Sequence, residues 1–327
     1  MPSRDSQQPF PAPSQSAFSR LWHRSQREVS RAFGGNYGRA PDVSVEPDAQ
    51  AAVHTGEITL QTLRWHGEGT PLVLLHGLNN NAWSWARVAS QLRGEHRIVA
   101  VSLRGHGGST APERGYSLAD TTLDIVALLD ALGLERVHLA GHSWGGKVAC
   151  HVAASVPDRI VSLSLADPAP PKDLNPIIRS APWLVRATLR PERGPFASRA
   201  AWEEALHTIN YLRIGDATDR RLWRASFVDQ KDGTVQHCLP ESAHREILEE
   251  TLAEDIRPLL RRIRCPGLLM LPTFTLSFLP GEMRSLHDAV SPLHVERMRG
   301  DHTFMHTNAI DTAAVMERFL ASLTPIA

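Results

Sequence analysis

One serine of this 327-residue chain has neighbours that could make it a nucleophile. Ser143 lies in Gly141-His142-Ser143-Trp144-Gly145, between an apolar, β-prone stretch from Val137 to Gly141 and a helical-looking run through Cys150 and beyond. A serine on so sharp a strand-to-helix turn sits in a strained backbone conformation, and glycines two residues before and after it let the chain come close without a Cβ clash. The following helix would aim its free N–H groups at negative charge developing beside the hydroxyl. That hydroxyl is a poor nucleophile until a base takes its proton. Among the sixteen histidines, His142, His76 and His302 compete for this role. The imidazole in turn needs a carboxylate to fix its tautomer and stabilise its charged form.

Strands and helices must alternate to hold such groups in place. Glu57 to His66 alternates like a half-exposed strand, and Pro71 to His76 reads as a buried one. Further strands are expected at His96 to Arg104, Val137 to Gly141, Arg159 to Ala166, just before Leu271, and at Leu293 to Met298. Helices are expected at Leu118 to Leu132, after Ser143, at Glu282 to Val290 and at Asn308 to Leu323, with Trp83 and Trp85 packing on another. This order predicts an α/β fold with a doubly wound, mostly parallel sheet. From Asp167 to about Arg257 the pattern changes to short helical stretches without clean strands, with Asp232-Gly233 as a turn signal.

Residues 1–15 are rich in Pro, Ser and Gln and are expected to be disordered. In residues 16–33, Phe18, Leu21, Trp22, Val29 and Phe33 fall near one stripe of a helix whose other faces carry Arg20, Arg24, Arg27 and Arg31. We read it as a helix docked on the main domain or an arm in a dimer, in preference to a membrane-surface helix.

Composition narrows the function. The 35 Lys and Arg balance 35 Asp and Glu, so no whole-protein field would attract nucleic acid. Cys150, Cys238 and Cys265 are far apart and form no C-x-x-C pair, which argues against a disulfide framework and a structural zinc site. There is no H-E-x-x-H, and neither a metal nor a cofactor is expected. No run of about eighteen apolar residues is present, and the first residues lack a secretory apolar core, so no transmembrane segment is expected and a cytoplasmic location is.

Several motifs in order resemble the α/β-hydrolase superfamily over residues 57–323. His76-Gly77-Leu78-Asn79 resembles its HG turn, and Arg104 to Ser109 (RGHGGS) its D-x-R-G-H-G-x-S turn, with Ser102 where the family usually has Asp. Gly141 to Gly145 resembles its nucleophile elbow, and Gly300-Asp301-His302 stands between the last strand and last helix. The resemblance is strongest to the subgroup of epoxide hydrolases, dehalogenases, C–C hydrolases and simple esterases. It implies Ser143 as nucleophile, His302 as base, and an oxyanion hole from the backbone N–H groups of Leu78 and Trp144. The usual acid position, Leu271 to Leu276, has no carboxylate, and Asp167 occupies the subgroup's second position, at the end of the sixth strand. The resemblance also implies a helical cap at 169–255 inserted in a core of 46–168 and 256–327, behind an N-terminal region of 1–45. Epoxide hydrolases and dehalogenases use an aspartate nucleophile, so Ser143 argues against both activities.

The expected function is serine hydrolysis of an ester, thioester or lactone bond in a small apolar substrate, through an acyl-enzyme. C–C bond hydrolysis, or a non-hydrolytic cyclase, lyase or binding role suggested by Ser102 and the empty acid position, is the alternative. No motif identifies the substrate-binding residues. Trp183, Trp202 and Trp223 could line an apolar pocket or simply pack. Arg179 to Arg224 holds nine Arg against five acidic residues, a local balance of +4 (9 − 5) that reads as a solvated face before an anion site. A homodimer or carrier-protein contact would run through the N-terminal helix or this cap.

Overall fold

The computed structural model describes residues 45–169, 193–208, 217–255, 257–273 and 293–323. The N-terminal helix expected at 16–33, the helix expected at Glu282 to Val290 and Trp183 lie outside the described residues. The main strands are β1 (Ala49–His54), β2 (Thr59–Trp65), β3 (Leu72–Leu75), β4 (Ile98–Val101), β5 (Val137–His142) and β6 (Ile160–Ala166). A hairpin of β7 (Phe227–Asp229) and β8 (Val235–His237) precedes β9 (Gly267–Pro272) and β10 (Leu293–Met298). Eight of these strands form one sheet in the order β1-β2-β4-β3-β5-β6-β9-β10, and within it only β2 runs antiparallel to its neighbours.

Both faces of the central strands are buried, which is why they read as unbroken apolar runs. Val73, Leu75, Val101 and Leu139 point into one core with residues of α2 (Leu118–Ala131) and α3 (Trp144–Ser155), such as Ile125, Leu128, Val148 and Val152. Leu72, Leu74, Ile98 and Ala140 point into the other, with Val88 and Leu92 of α1 (Ala86–Leu92) and Met316 and Leu320 of α9 (Ala309–Ala321). Each fully buried Leu or Ile stabilises the fold by about 1.5–3 kcal/mol before entropy is counted. β1 was not expected from the sequence. Its side chains are mostly exposed, so its place rests on backbone pairing with β2 and leaves little apolar alternation to read.

The chain leaves β3 toward β4 on one side and returns to β5 on the other, so the sheet's order reverses between β3 and β5. Open α/β sheets bind ligands in the crevice outside the carboxyl ends of their strands at such a switch point. The turns after β3, β4, β5, β6 and β10 all emerge at those carboxyl ends.

Ser102 helps to hold the turn after β4. Its Oγ is buried, accepts the Ala82 N–H at 3.2 Å and donates to Gln61 Oε1 at 3.3 Å, so the position keeps a polar contact without a carboxylate. Gln61 Oε1 also takes the Gly108 N–H at 2.9 Å. Arg104 grips the Asp124 carboxylate of α2 through Nε and Nη2 at 2.5 and 2.6 Å, with both side chains nearly buried. Burial pushes the Asp124 carboxyl above its ordinary range, against the opposing pull of Arg104. Arg104→Ala should therefore destabilise the protein by about 3–5 kcal/mol, because it strands a buried charge. Thermal or urea unfolding would measure this. A loss below about 1 kcal/mol, the usual worth of an exposed pair, would contradict it.

Between β6 and β9 the described residues hold α4 (Arg199–Thr208), α5 (Ala217–Ala225), the β7–β8 hairpin, α6 (Glu241–Ala253) and the short α7 (Arg257–Leu260). The hairpin was not expected, since three-residue strands are too short to show alternation. Asp232-Gly233 forms its turn as the sequence signalled, with Gly233 at φ 86°. Trp202, Leu206, Phe227 and Val235 make a separate small core there, so Trp202 packs and does not line an open pocket. Asn81 Nδ2 joins this region to the sheet by donating to Leu222 O and Ser226 Oγ at 2.8 and 2.9 Å, and Arg87 pairs with Asp219 at 3.0 Å. Lys147 Nζ, buried in α3, donates to the Thr251 and Glu254 carbonyls at the end of α6, at 2.6 and 3.1 Å. Among the described residues no helix is long and apolar enough to cross a membrane.

Candidate functional site

Ser143 sits between β5 and α3 with φ 52° and ψ −120°, a conformation L-residues rarely adopt. Its side chain makes no bond to its own helix. The flanking glycines are explained by what a side chain would meet. A Cβ on Gly141 would lie 2.2 Å from Gly145 O, and one on Gly145 would lie 2.3 Å from His76 O. Both contacts are with backbone, which cannot swing away. Gly145→Ala should therefore cost at least the 1–3 kcal/mol typical of overpacking, roughly, and lower the yield of folded protein. An unchanged Tm for that variant would contradict the packing argument.

The turn after β6 is locked to the serine turn. β5 and β6 pair as far as His142 with Ala166. Beyond them the Ser143 N–H donates to Ala166 O at 3.1 Å, and the Ala169 N–H donates back to Ser143 O at 3.1 Å. Asp167, the first of the two residues between those bonded positions, is also left-handed at φ 39°, and its N–H is held by Met270 O at 2.8 Å. Two strained non-glycine residues thus stand side by side, over-determined by the surrounding backbone.

The turn between β10 and α8 (Phe304–Thr307) brings His302 to the same place. Its Nδ1 lies 2.6 Å from Asp167 Oδ2. A ring nitrogen facing a carboxylate at that distance carries the proton, which leaves the Nε2 lone pair as the basic site. The Asp167 side chain is buried, at 2% exposure, while the His302 side chain is 44% exposed. Burial alone would lower the imidazole's pKa, but the hydrogen bond and charge of Asp167, aided by the charge of Asp301, outweigh it and raise the pKa above its ordinary value. Asp301 directs its own carboxylate to the N–H and hydroxyl of Thr303, at 2.9 and 2.7 Å.

The competing histidines are committed elsewhere. His76 Nε2 accepts the Leu103 N–H at 2.9 Å, so its Nδ1 carries the proton and donates to Gly77 O at 2.8 Å. Burial lowers its pKa to about 4. His142 Nε2 bonds His302 O at 2.8 Å, and burial, reinforced by the neighbouring His302, holds it neutral. These two rings brace the turns that carry the other groups. His142 ties the His302 loop directly to the serine turn, a link that adjacency to Ser143 alone did not reveal.

Leu78 and Trp144 stand at the start of the turn after β3 and at the first position of α3. Neither backbone N–H donates a hydrogen bond among the described residues. The turn after β3 holds a third left-handed residue, Asn79, at φ 68°. Its role had no signal in the sequence, because its partners lie more than a hundred residues away in Arg193 and His244. Among the described residues no group of three or more His, Cys, Asp or Glu side chains could hold a metal ion.

Comparisons with known proteins agree with this fold. The family model described as alpha/beta hydrolase fold matches residues 70–200. The chain is 41% identical over 118 residues to the dihydrolipoyllysine-residue acetyltransferase component of the acetoin cleaving system of Pseudomonas putida, covering 35% of this chain and 32% of that one. It is 38% identical over 123 residues to a fluoroacetate dehalogenase of a Burkholderia species, covering 36% of this chain and 40% of that one. The matches thus span well under half the length of either relative. Among solved structures, E-2-(acetamidomethylene)succinate hydrolase superimposes with a TM-score of 0.73 at 22% identity, over 84% of this chain and 99% of that one, a likeness of fold.

Proposed function

We propose that this chain, whose residues 70–200 match the α/β-hydrolase fold family model, is a serine hydrolase of that superfamily that cleaves an ester, thioester or lactone bond through an acyl-enzyme. The observation that carries the reading is the 2.6 Å bond from His302 Nδ1 to the buried Asp167 carboxylate, beside a strained serine whose hydroxyl is not spent on its helix. Ser143 sets the chain apart from the aspartate-nucleophile branch that dehalogenases represent.

In this mechanism the Ser143 hydroxyl attacks the substrate carbonyl carbon while His302 Nε2 takes its proton. The Leu78 and Trp144 N–H groups donate to the oxygen as it becomes negative. Donors of this kind are worth about 10²–10³ in kcat each. The tetrahedral intermediate collapses, and the leaving group departs with the proton from Nε2. Water then attacks the acyl carbon, Nε2 takes the water's proton, and that proton returns to Ser143 Oγ as the acid is released. Asp167 orients the ring and offsets its charge. Residues 169–255 would cover the crevice as a cap.

A fluorophosphonate probe tests the reading. It should label the wild type and leave Ser143→Ala unlabelled, while a panel of esters, thioesters and lactones identifies the bond cleaved. Labelling that persists in Ser143→Ala would sink it.

A further inference from the structure

We infer that Arg193 is a positioning residue for the oxyanion hole, acting through Asn79. This rests on the serine-hydrolase reading above. The Asn80 N–H donates to Gly77 O at 3.1 Å and closes a four-residue turn with Leu78 second and the left-handed Asn79 third. A positive φ at that position is strained for any residue but glycine, and asparagine is among the few that tolerate it. The turn that presents the Leu78 N–H therefore depends on whatever holds Asn79.

Contacts from several sides hold it. His106 Nε2 faces the Asn79 N–H at 3.4 Å, Asn79 Nδ2 meets His244 Nε2 at 3.4 Å, and Arg193 Nη1 donates to Asn79 Oδ1 at 2.9 Å. The charged contact with Arg193 is the short one, and charge-assisted bonds are the stronger kind. Arg193 is itself fixed. Its side chain is 9% exposed, its Nη2 donates to Leu239 O, its Nε lies 3.3 Å from Glu241 Oε2, and its carbonyl accepts the His237 N–H at 2.9 Å. Arg193, in the segment between β6 and β9, thus clamps the turn after β3.

The test is a double-mutant cycle read on kcat and KM, with hydrogen exchange as a readout independent of catalysis. Arg193→Ala and Arg193→Gln should each lower kcat about ten- to a hundredfold, less than the 10²–10³ for deleting a donor outright, with KM changed little. The pH at which activity rises should stay put, because His302 is untouched. Asn79→Ala, which removes the gripped amide and keeps the strained backbone, should bring at least the same loss, and Arg193→Ala in that background should add little. Exchange in a peptide spanning residues 77–80 should accelerate in Arg193→Ala while β9 and α2 keep their protection. Additive losses, or unchanged exchange at 77–80 in a folded Arg193 variant, would overturn the inference and leave the nucleophile assignment standing. A wild type without hydrolase activity would remove the kinetic arm alone, and the exchange result would still decide whether Arg193 holds the turn.

Discussion

Ser143→Ala and His302→Ala are each expected to remove essentially all turnover, by about 10⁶-fold, and the double variant should be no worse than either alone. The reason is chemical. An unactivated hydroxyl and an imidazole without a nucleophile are equally useless, so the second loss falls on a step that no longer exists. Folding should survive both changes, since the Ser143 side chain makes no cap bond and the His302 side chain is partly exposed. Ser143→Gly adds a sharper contrast. The φ of 52° costs serine or alanine on the order of 1–3 kcal/mol that glycine does not meet. The glycine variant should be as inactive as the alanine variant yet melt at a higher temperature, which would show strain retained at a functional residue. Steady-state rates on the best ester of the panel, with a thermal melt of each variant, measure both halves. Independent, multiplying losses for Ser143 and His302 would mean that they do not act as one unit.

The parts of this arrangement legible in the sequence are those written in neighbouring residues. Leu72–Leu75 and Val137–His142 read as buried strands because both their faces are covered. The glycines at 141 and 145 announced a turn too tight for side chains, and the structure supplies the reason in the carbonyls each would strike. The other parts are written in pairs of distant residues. His302 and Asp167 are 135 positions apart, and sequence pointed to them only through the resemblance to a family that keeps its histidine after the last strand and, with no carboxylate from 271 to 276, its acid after the sixth. Gln61 bracing Gly108, and Arg193 gripping Asn79, had no local signature at all. β1 and the β7–β8 hairpin were missed because backbone pairing and a few buried residues hold them, without a periodic apolar face.

Asp167→Asn should keep the fold and lower kcat by up to about 10⁴-fold, as the loss of an orienting carboxylate does in a serine protease. Asparagine fits the space but can present an N–H to Nδ1, which favours the tautomer with its proton on the wrong nitrogen and blocks the lone pair that must accept from Ser143. The pH dependence gives a second, directional check. The base works only when neutral, so activity rises with pH through the pKa of His302, which stands above its ordinary value. Burial pushes that pKa down, while the Asp167 hydrogen bond and charge, with a smaller part from Asp301, push it up. Removing Asp167 takes away the largest raising influence and leaves burial in place. The acid limb of the activity profile should therefore move to lower pH while its plateau falls. An acid limb that stays in place, with activity intact, would mean that another group orients His302 and that the bond to Asp167 serves only the packing of the two turns. A lower plateau with an unmoved limb would separate the two roles, leaving Asp167 to select the tautomer without setting the charge.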